Sequence, residues 1–225
     1  MTHGGDVLGV DGCRAGWVGI VLASDGNVRG VFGTTMAELA AGAGPVDAVG
    51  IDMPLHVTDE VEPRASDLAA RLHLGPKRSS LFLTPPRAAY LAPTYAEACA
   101  VSRRLTGKAP SRQAWALGPK IFDVEAWCEG VDIPVREVHP EVSFSLLAGA
   151  PILASKATWA GLEARRAALA AAGIVVPVDL GDAGRAGPDD VLDAAVAAWS
   201  ARRIARGEAR CFPDNAPPGA PAIWA

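Results

Sequence analysis

The 225-residue chain is half hydrophobic and one-fifth charged, with a formal net charge of −4, a composition expected of one domain large enough to bury a full core. No apolar stretch approaches the roughly 20 residues of a membrane span. The N-terminus has no basic region leading into an apolar one, so a cytoplasmic protein without a secretory leader is expected. Cys13, Cys99, Cys128 and Cys211 are far apart in sequence and no pair has zinc-ligand spacing, which argues against a disulfide framework or a structural zinc site.

In chain order, Val7 to Asp11 reads as a first strand, and Trp17 to Leu22 and Val28 to Phe32 as a hairpin around Ser24-Asp25-Gly26-Asn27. Thr34 or Thr35 caps a short helix through Ala41, with Glu38 in its first turn. Gly42 to Pro45 ends that helix, and Val46 to Met53 forms a fourth strand stopped by Pro54. From about 62 to 130 the pattern becomes mainly helical, with helices over Asp67 to Leu74, Tyr95 to Thr106 and Ile121 to Trp127 punctuated by Pro76 and Pro85-Pro86. Strand character resumes at Val135 to His139. An alanine- and arginine-rich helix follows over Lys156 to Ala172, and a last helix runs from Asp189 to about Ala205 behind Gly187-Pro188. The proline-rich tail from Phe212 to Trp224 reads as a surface segment that docks at its end. These elements predict one α/β domain over 1–225, with the 62–130 stretch as a basic helical insertion.

Charge is uneven along the chain. Between Arg64 and Lys120 there are ten basic residues and two acidic ones, while the remainder is strongly acidic. Such asymmetry suits a basic module that meets a polyanion; it also suits a module paired internally with the acidic remainder.

Three aspartates stand out. Asp11 follows Val7-Leu8-Gly9-Val10, Asp52 follows Ala48-Val49-Gly50-Ile51, and Asp193 lies in the apolar helical stretch Val191 to Trp199, three residues after Asp190. A charge beside a buried strand is costly unless something compensates it. A hairpin and a crossover helix place the first and fourth strands side by side, with Asp11 and Asp52 at their carboxyl ends, where open α/β sheets bind ligands. Asp190 and Asp193 share a helix face. Carboxylates brought together this way repel unless a cation sits among them, and hard oxygen donors suit Mg²⁺ or Mn²⁺. Two such ions suit in-line attack on a phosphodiester. Each acid also has a plainer role. Asp11 and Asp52 fit turn-formers bonding local amides, Asp190 fits a complement to the helix dipole, and Asp193 fits a solvated stripe with Ser200. In the run Glu137-Val138-His139-Pro140-Glu141, either Glu137 or Glu141 fits a fifth metal ligand, and both fit caps for a helix starting near Val142.

Several ordered motifs contain these residues. They are the run Gly9-Val10-Asp11-Gly12-Cys13-Arg14-Ala15-Gly16-Trp17, then Ile51-Asp52-Met53-Pro54-Leu55, Arg78-Ser79-Ser80-Leu81-Phe82, Pro119-Lys120-Ile121, Glu137 to Glu141, and Asp193-Ala194-Ala195 followed by Trp199 and Arg202-Arg203. Together, across nearly the whole chain, they resemble the domain of unknown function 429 (DUF429) family, regarded as predicted nucleases with a ribonuclease H-like fold. The resemblance implies a mixed five-stranded sheet flanked by helices, and a metal site drawn from Asp11, Asp52 and Asp193. The Asp190/Asp193 spacing also looks like the helix of RuvC-type resolvases.

The expected activity is therefore hydrolysis of nucleic acid with Mg²⁺ or Mn²⁺. Asp11, Asp52 and Asp193 are the catalytic set, Glu141 and Asp190 further ligands, and Arg71, Arg78 and Lys120 the phosphate contacts. A non-catalytic scaffold is one alternative. An ATP-binding relative of actin and the sugar kinases is another, weakened by the absence of a second glycine-rich hairpin or a Walker-type loop.

Overall fold

The computed structural model describes residues 4–217 and 219–225; Pro218 of the proline-rich tail lies outside them. Alternation along the first strands decides which face of the sheet each side chain joins. In β1 (Val7–Cys13), Val7 and Cys13 enter one core and Leu8 and Val10 the other. In β2 (Gly16–Leu22), Val18, Ile20 and Leu22 oppose Trp17 and Val21 in the same way. β3 (Val28–Gly33) completes the hairpin, and helix α1 (Met36–Ala43) begins where the Thr35 hydroxyl accepts from the Glu38 amide at 3.2 Å. β4 (Ala48–Ile51) then returns parallel to β1.

The middle of the chain is helical: α2 (Ala65–Leu74), a 3₁₀ turn over Gly75–Ser80, α3 (Arg87–Tyr90), α4 (Tyr95–Thr106), α5 (Arg112–Ala116) and α6 (Gly118–Cys128). β5 (Val135–Glu137) and α7 (Pro140–Leu147) follow, then α8 (Trp159–Ala171) and the long α9 (Pro188–Ala205). The sheet order is β3-β2-β1-β4-β5, antiparallel through the hairpins and parallel at β1–β4 and β4–β5. This mixed five-stranded sheet flanked by helices is the expected α/β class and is consistent with a ribonuclease H-like fold. One face packs Met36 and Leu39 of α1 and Ile121 and Val124 of α6. The other packs α9 together with Phe144 and Leu169.

Two glycines govern how closely α9 lies on the sheet. Gly9 and Gly50 are register partners on β1 and β4. A methyl group on Gly9 would stand 2.0 Å from the Ala198 amide nitrogen and 2.2 Å from the Ala194 carbonyl, and one on Gly50 would stand 2.7 Å from the Ala197 carbonyl. The helix therefore rests backbone on backbone. No flexible side chain is available to give way, so Gly9→Ala is expected to cost ~3 kcal/mol or more, the upper end of ordinary overpacking. A urea titration would read this as a lowered midpoint with the slope unchanged.

Some boundaries differ from expectation. The fourth strand, Ala48–Ile51, is shorter than Val46 to Met53 at both ends, with Asp52 directly beyond its last residue. Lys156 is not in the alanine-rich helix: Thr158 accepts from the Gly161 amide at 3.2 Å and starts α8 at Trp159, leaving Lys156 in the preceding loop. The tail docks at its end as expected, through β6 (Cys211–Phe212) paired with β7 (Ile223–Trp224) and a bridge from Trp224 to Val138. The four cysteines are free thiols, and no helix among the described residues is long and apolar enough to cross a membrane.

Candidate metal centre

The two-residue period that turns Gly9 and Gly50 toward α9 also turns Asp11 and Asp52 the same way, one pleat further along. The Asp52 amide donates to the Val10 carbonyl at 2.9 Å and keeps the two strand ends level. On α9, Asp190 and Asp193 precede by four residues the Ala194 and Ala197 backbone that meets the glycines. One close contact thus sets the position of the next turn of helix above the strand ends. One carboxylate oxygen each from Asp11, Asp52 and Asp193 lie within 4.8 Å of one another.

Asp11 and Asp193 are buried and Asp52 is half-buried. Burial raises all three carboxyl pKa values; for Asp11, repulsion from Asp52, Asp193 and Asp190 adds to it, and for Asp52, repulsion from Asp193, Glu137 and Asp190. Asp193 is pushed up to about 6, burial outweighing the cation beside it. The plainer roles are met only in part. Asp11 does accept from the Gly12 amide at 2.6 Å, and Asp190 accepts from the Gly187 amide at 3.3 Å at the start of α9. The solvated stripe is overturned: Asp193 is 2 % exposed, and Ser200 is buried in a hydrogen bond with Ser143 at 2.8 Å. No donor among the described residues reaches the Asp52 carboxylate. Three crowded hard-oxygen donors, each driven toward protonation, are a set that a divalent cation fits.

Around the three acids the other charges are mostly engaged. Lys156 extends its ammonium to Asp193 Oδ2 at 2.5 Å and stands 3.9 Å from Asp189. Glu141, at the start of α7, gives one oxygen to the fully buried Arg165 at 2.5 Å, with Lys77 at 3.9 Å; its second oxygen is buried without a partner. Arg165 also donates to the Ala154 and Gly161 carbonyls, tying the Lys156 loop to α7 and α8. Arg165→Met would leave the buried Glu141 carboxylate with only the more distant Lys77 facing it, an expected loss of about 3 kcal/mol. Adding Glu141→Leu should restore much of it, measured as a double-mutant cycle in urea. Glu137 is occupied by Arg64 and by the Leu55 amide at 2.8 Å.

The acids form the floor of one large cleft of about 1290 Å³, walled by the segments around Val57–Asp67, Lys77–Pro86 and Ser102–Leu117. Arg71 lines it but donates to the Leu81 carbonyl at 2.9 Å. Arg78 is exposed, outside the lining. Lys120 lies over the Trp17 ring at 4.4 Å and donates to the Gly16 carbonyl; burial lowers its pKa against the pull of Asp11 and Asp190. The structure thus brings Lys120 near the acids and leaves Arg78 apart. The basic excess is partly paired internally, as Arg64 with Glu137 and Asp67 and Arg87 with Glu125 show, and partly exposed at Arg103, Arg104, Lys108 and Arg112. Lys156 and Arg165 escaped the sequence reading. Glycine at 161 was the available signal, since a methyl there would lie 1.9 Å from the Ser155 carbonyl that folds onto α8.

A family model described as "Protein of unknown function (DUF429)" matches residues 9–217. No curated protein and no solved structure matches the chain.

Proposed function

The chain belongs to the DUF429 family, and from that footing we propose that this protein is a divalent-metal-dependent nuclease, hydrolysing phosphodiester bonds in the cleft floored by Asp11, Asp52 and Asp193. The observation that carries this is the convergence of three carboxylate oxygens within 4.8 Å. Asp11, Asp52 and Asp193 would hold Mg²⁺ or Mn²⁺, with Asp190 and the unpartnered oxygen of Glu141 as further donors. When bound, such an ion supplies Lewis acidity toward a phosphoryl oxygen and acidifies bound water.

The remaining work falls to the chain itself. Asp11 and Asp193 are themselves buried, so the charge interactions they make are screened less than those of surface carboxylates. The cleft volume exceeds the usual 300–1,000 Å³ of small-ligand sites, which favours a polymeric substrate over a mononucleotide. Arg71 and Lys120 flank the floor and Arg78 lies outside it. All three are proposed phosphate contacts, joined by Lys108, which also lines the cleft. Binding through them should weaken steeply with added salt.

The test is a panel of RNA, DNA, RNA–DNA hybrid and four-way-junction substrates incubated with Mn²⁺, wild type beside Asp11→Asn. Cleavage by wild type that disappears in the variant supports the proposal. Binding without cleavage of any substrate would instead favour a scaffold. Stabilisation by Mg²⁺-ATP without response to the metal alone would favour a nucleotide-binding protein.

A further inference from the structure

Lys156 is ion-paired directly with one of the three acids of the floor. Its Nζ contacts Asp193 Oδ2 at 2.5 Å, and its second neighbour is Asp189 Oδ2 at 3.9 Å. Both partners are carboxylates of α9. Its field also reaches Asp11, Asp52 and Asp190. Asp193 is 3 % exposed at its side chain and Lys156 is 41 % exposed, so the ammonium comes onto buried anions from the solvent side.

The backbone beneath this side chain is fixed. Arg165 holds the Ala154 carbonyl at 3.1 Å, and Gly161 admits the Ser155 carbonyl against the first turn of α8. The loop therefore delivers Lys156 to one place, while the four-carbon stem beyond it is free to rotate. A lysine held only by carboxylates at its tip is readily exchanged for a stronger cation.

We propose that Lys156 is a displaceable counter-ion that competes with a divalent cation for Asp193 and is released into the cleft when that cation binds. This rests on the metal reading of the three acids. An ammonium 2.5 Å from Asp193 Oδ2 and a divalent ion drawn to the same three carboxylates repel one another and compete for the same negative charge. The charges also favour exchange over expulsion: the three floor carboxylates balance one ammonium and one divalent ion, and Asp189 and Asp190 beside them still attract the freed ammonium. The freed ammonium stays over the floor, where an incoming phosphate approaches.

Two measurements test this without recourse to activity. Titration calorimetry of Mn²⁺ into wild type, Lys156→Met and Lys156→Arg should show about tenfold tighter binding for Lys156→Met, the loss of a competitor worth ~1.4 kcal/mol, with Lys156→Arg near wild type. Equal or weaker binding by Lys156→Met would overturn the exchange while leaving the metal site in place. Failure of all three proteins to bind Mn²⁺ would overturn both. The second measurement uses unaltered protein, so a variant that fails to fold is no obstacle. Amine-reactive labelling of Lys156, read by peptide mass spectrometry, should rise severalfold when Mg²⁺ is added in place of EDTA, relative to Lys108. A rate that Mg²⁺ leaves unchanged or lowers would overturn the exchange.

Discussion

Asp52→Asn is expected to make the protein more stable in EDTA and to abolish its response to metal. Burial and the neighbouring Asp193 raise the Asp52 carboxyl, and the pull of Lys156 offsets them only in part. Removing that charge relieves both effects at almost constant volume, with no hydrogen bond lost. A gain on the order of 1–2 kcal/mol follows, or roughly 3–6 °C in Tm for a chain of this size. Wild type should gain a further ~2.7 kcal/mol at Mn²⁺ a hundredfold above its Kd, and the variant should gain nothing. Differential scanning fluorimetry with and without Mn²⁺ measures both numbers. A variant that melts lower than wild type in EDTA would show that Asp52 is compensated after all. This is the trade between stability and activity expected where like charges are held together for function.

The second expected result is that this gain depends on pH. Asp193 has a folded pKa near 6 against 3.8 for the free side chain. A carboxyl raised by folding contributes stability that is complete below about pH 4 and lost as pH climbs through about 6, because the folded state takes up the proton more readily than the unfolded chain. Asp11 and Asp52 are raised in the same sense. His139 opposes them over the same window: burial holds its imidazole down to about 4, so its contribution is lost as pH falls below the usual histidine range. Taking the difference in Tm between Asp52→Asn and wild type cancels His139. In EDTA that difference should be small at pH 5, where the acids share protons, and full at pH 7.5. A difference independent of pH would mean that the three acids do not repel one another. Mn²⁺ affinity should follow the same curve, falling below about pH 6 as protons compete for the ligands.

The acids that meet were legible because their geometry is local and periodic. Gly9-Val10-Asp11 and Gly50-Ile51-Asp52 each carry the alternation that puts glycine and aspartate on one face, and Asp190 and Asp193 carry the helical spacing that stacks them. The cations were harder to place because their roles depend on distant contacts. Lys156 has good helix propensity and follows the helical pattern backwards from Trp159, but Thr158 competes for the cap and wins. Arg165 lies in the same alanine-rich stretch and looks like any solvated arginine; only the packing of α8 against α7 reveals it as the partner of Glu141. Short elements such as α3, α5 and the β6–β7 pair have too few residues to show a period.

The contact of α9 with Gly9 and Gly50 has a consequence for ion choice. A mounting made of main chain against main chain has no rotamers of its own to relax, so the anchor points of Asp11, Asp52 and Asp193 hold their separation and leave only the short aspartate side chains to adjust. Short side chains on fixed anchors favour an ion with ligand distances of about 2.0–2.1 Å over one that asks for 2.3–2.6 Å and a larger coordination number. Calcium should therefore be a poor competitor for manganese, and loosening the mounting with Gly50→Ala should narrow the gap between them.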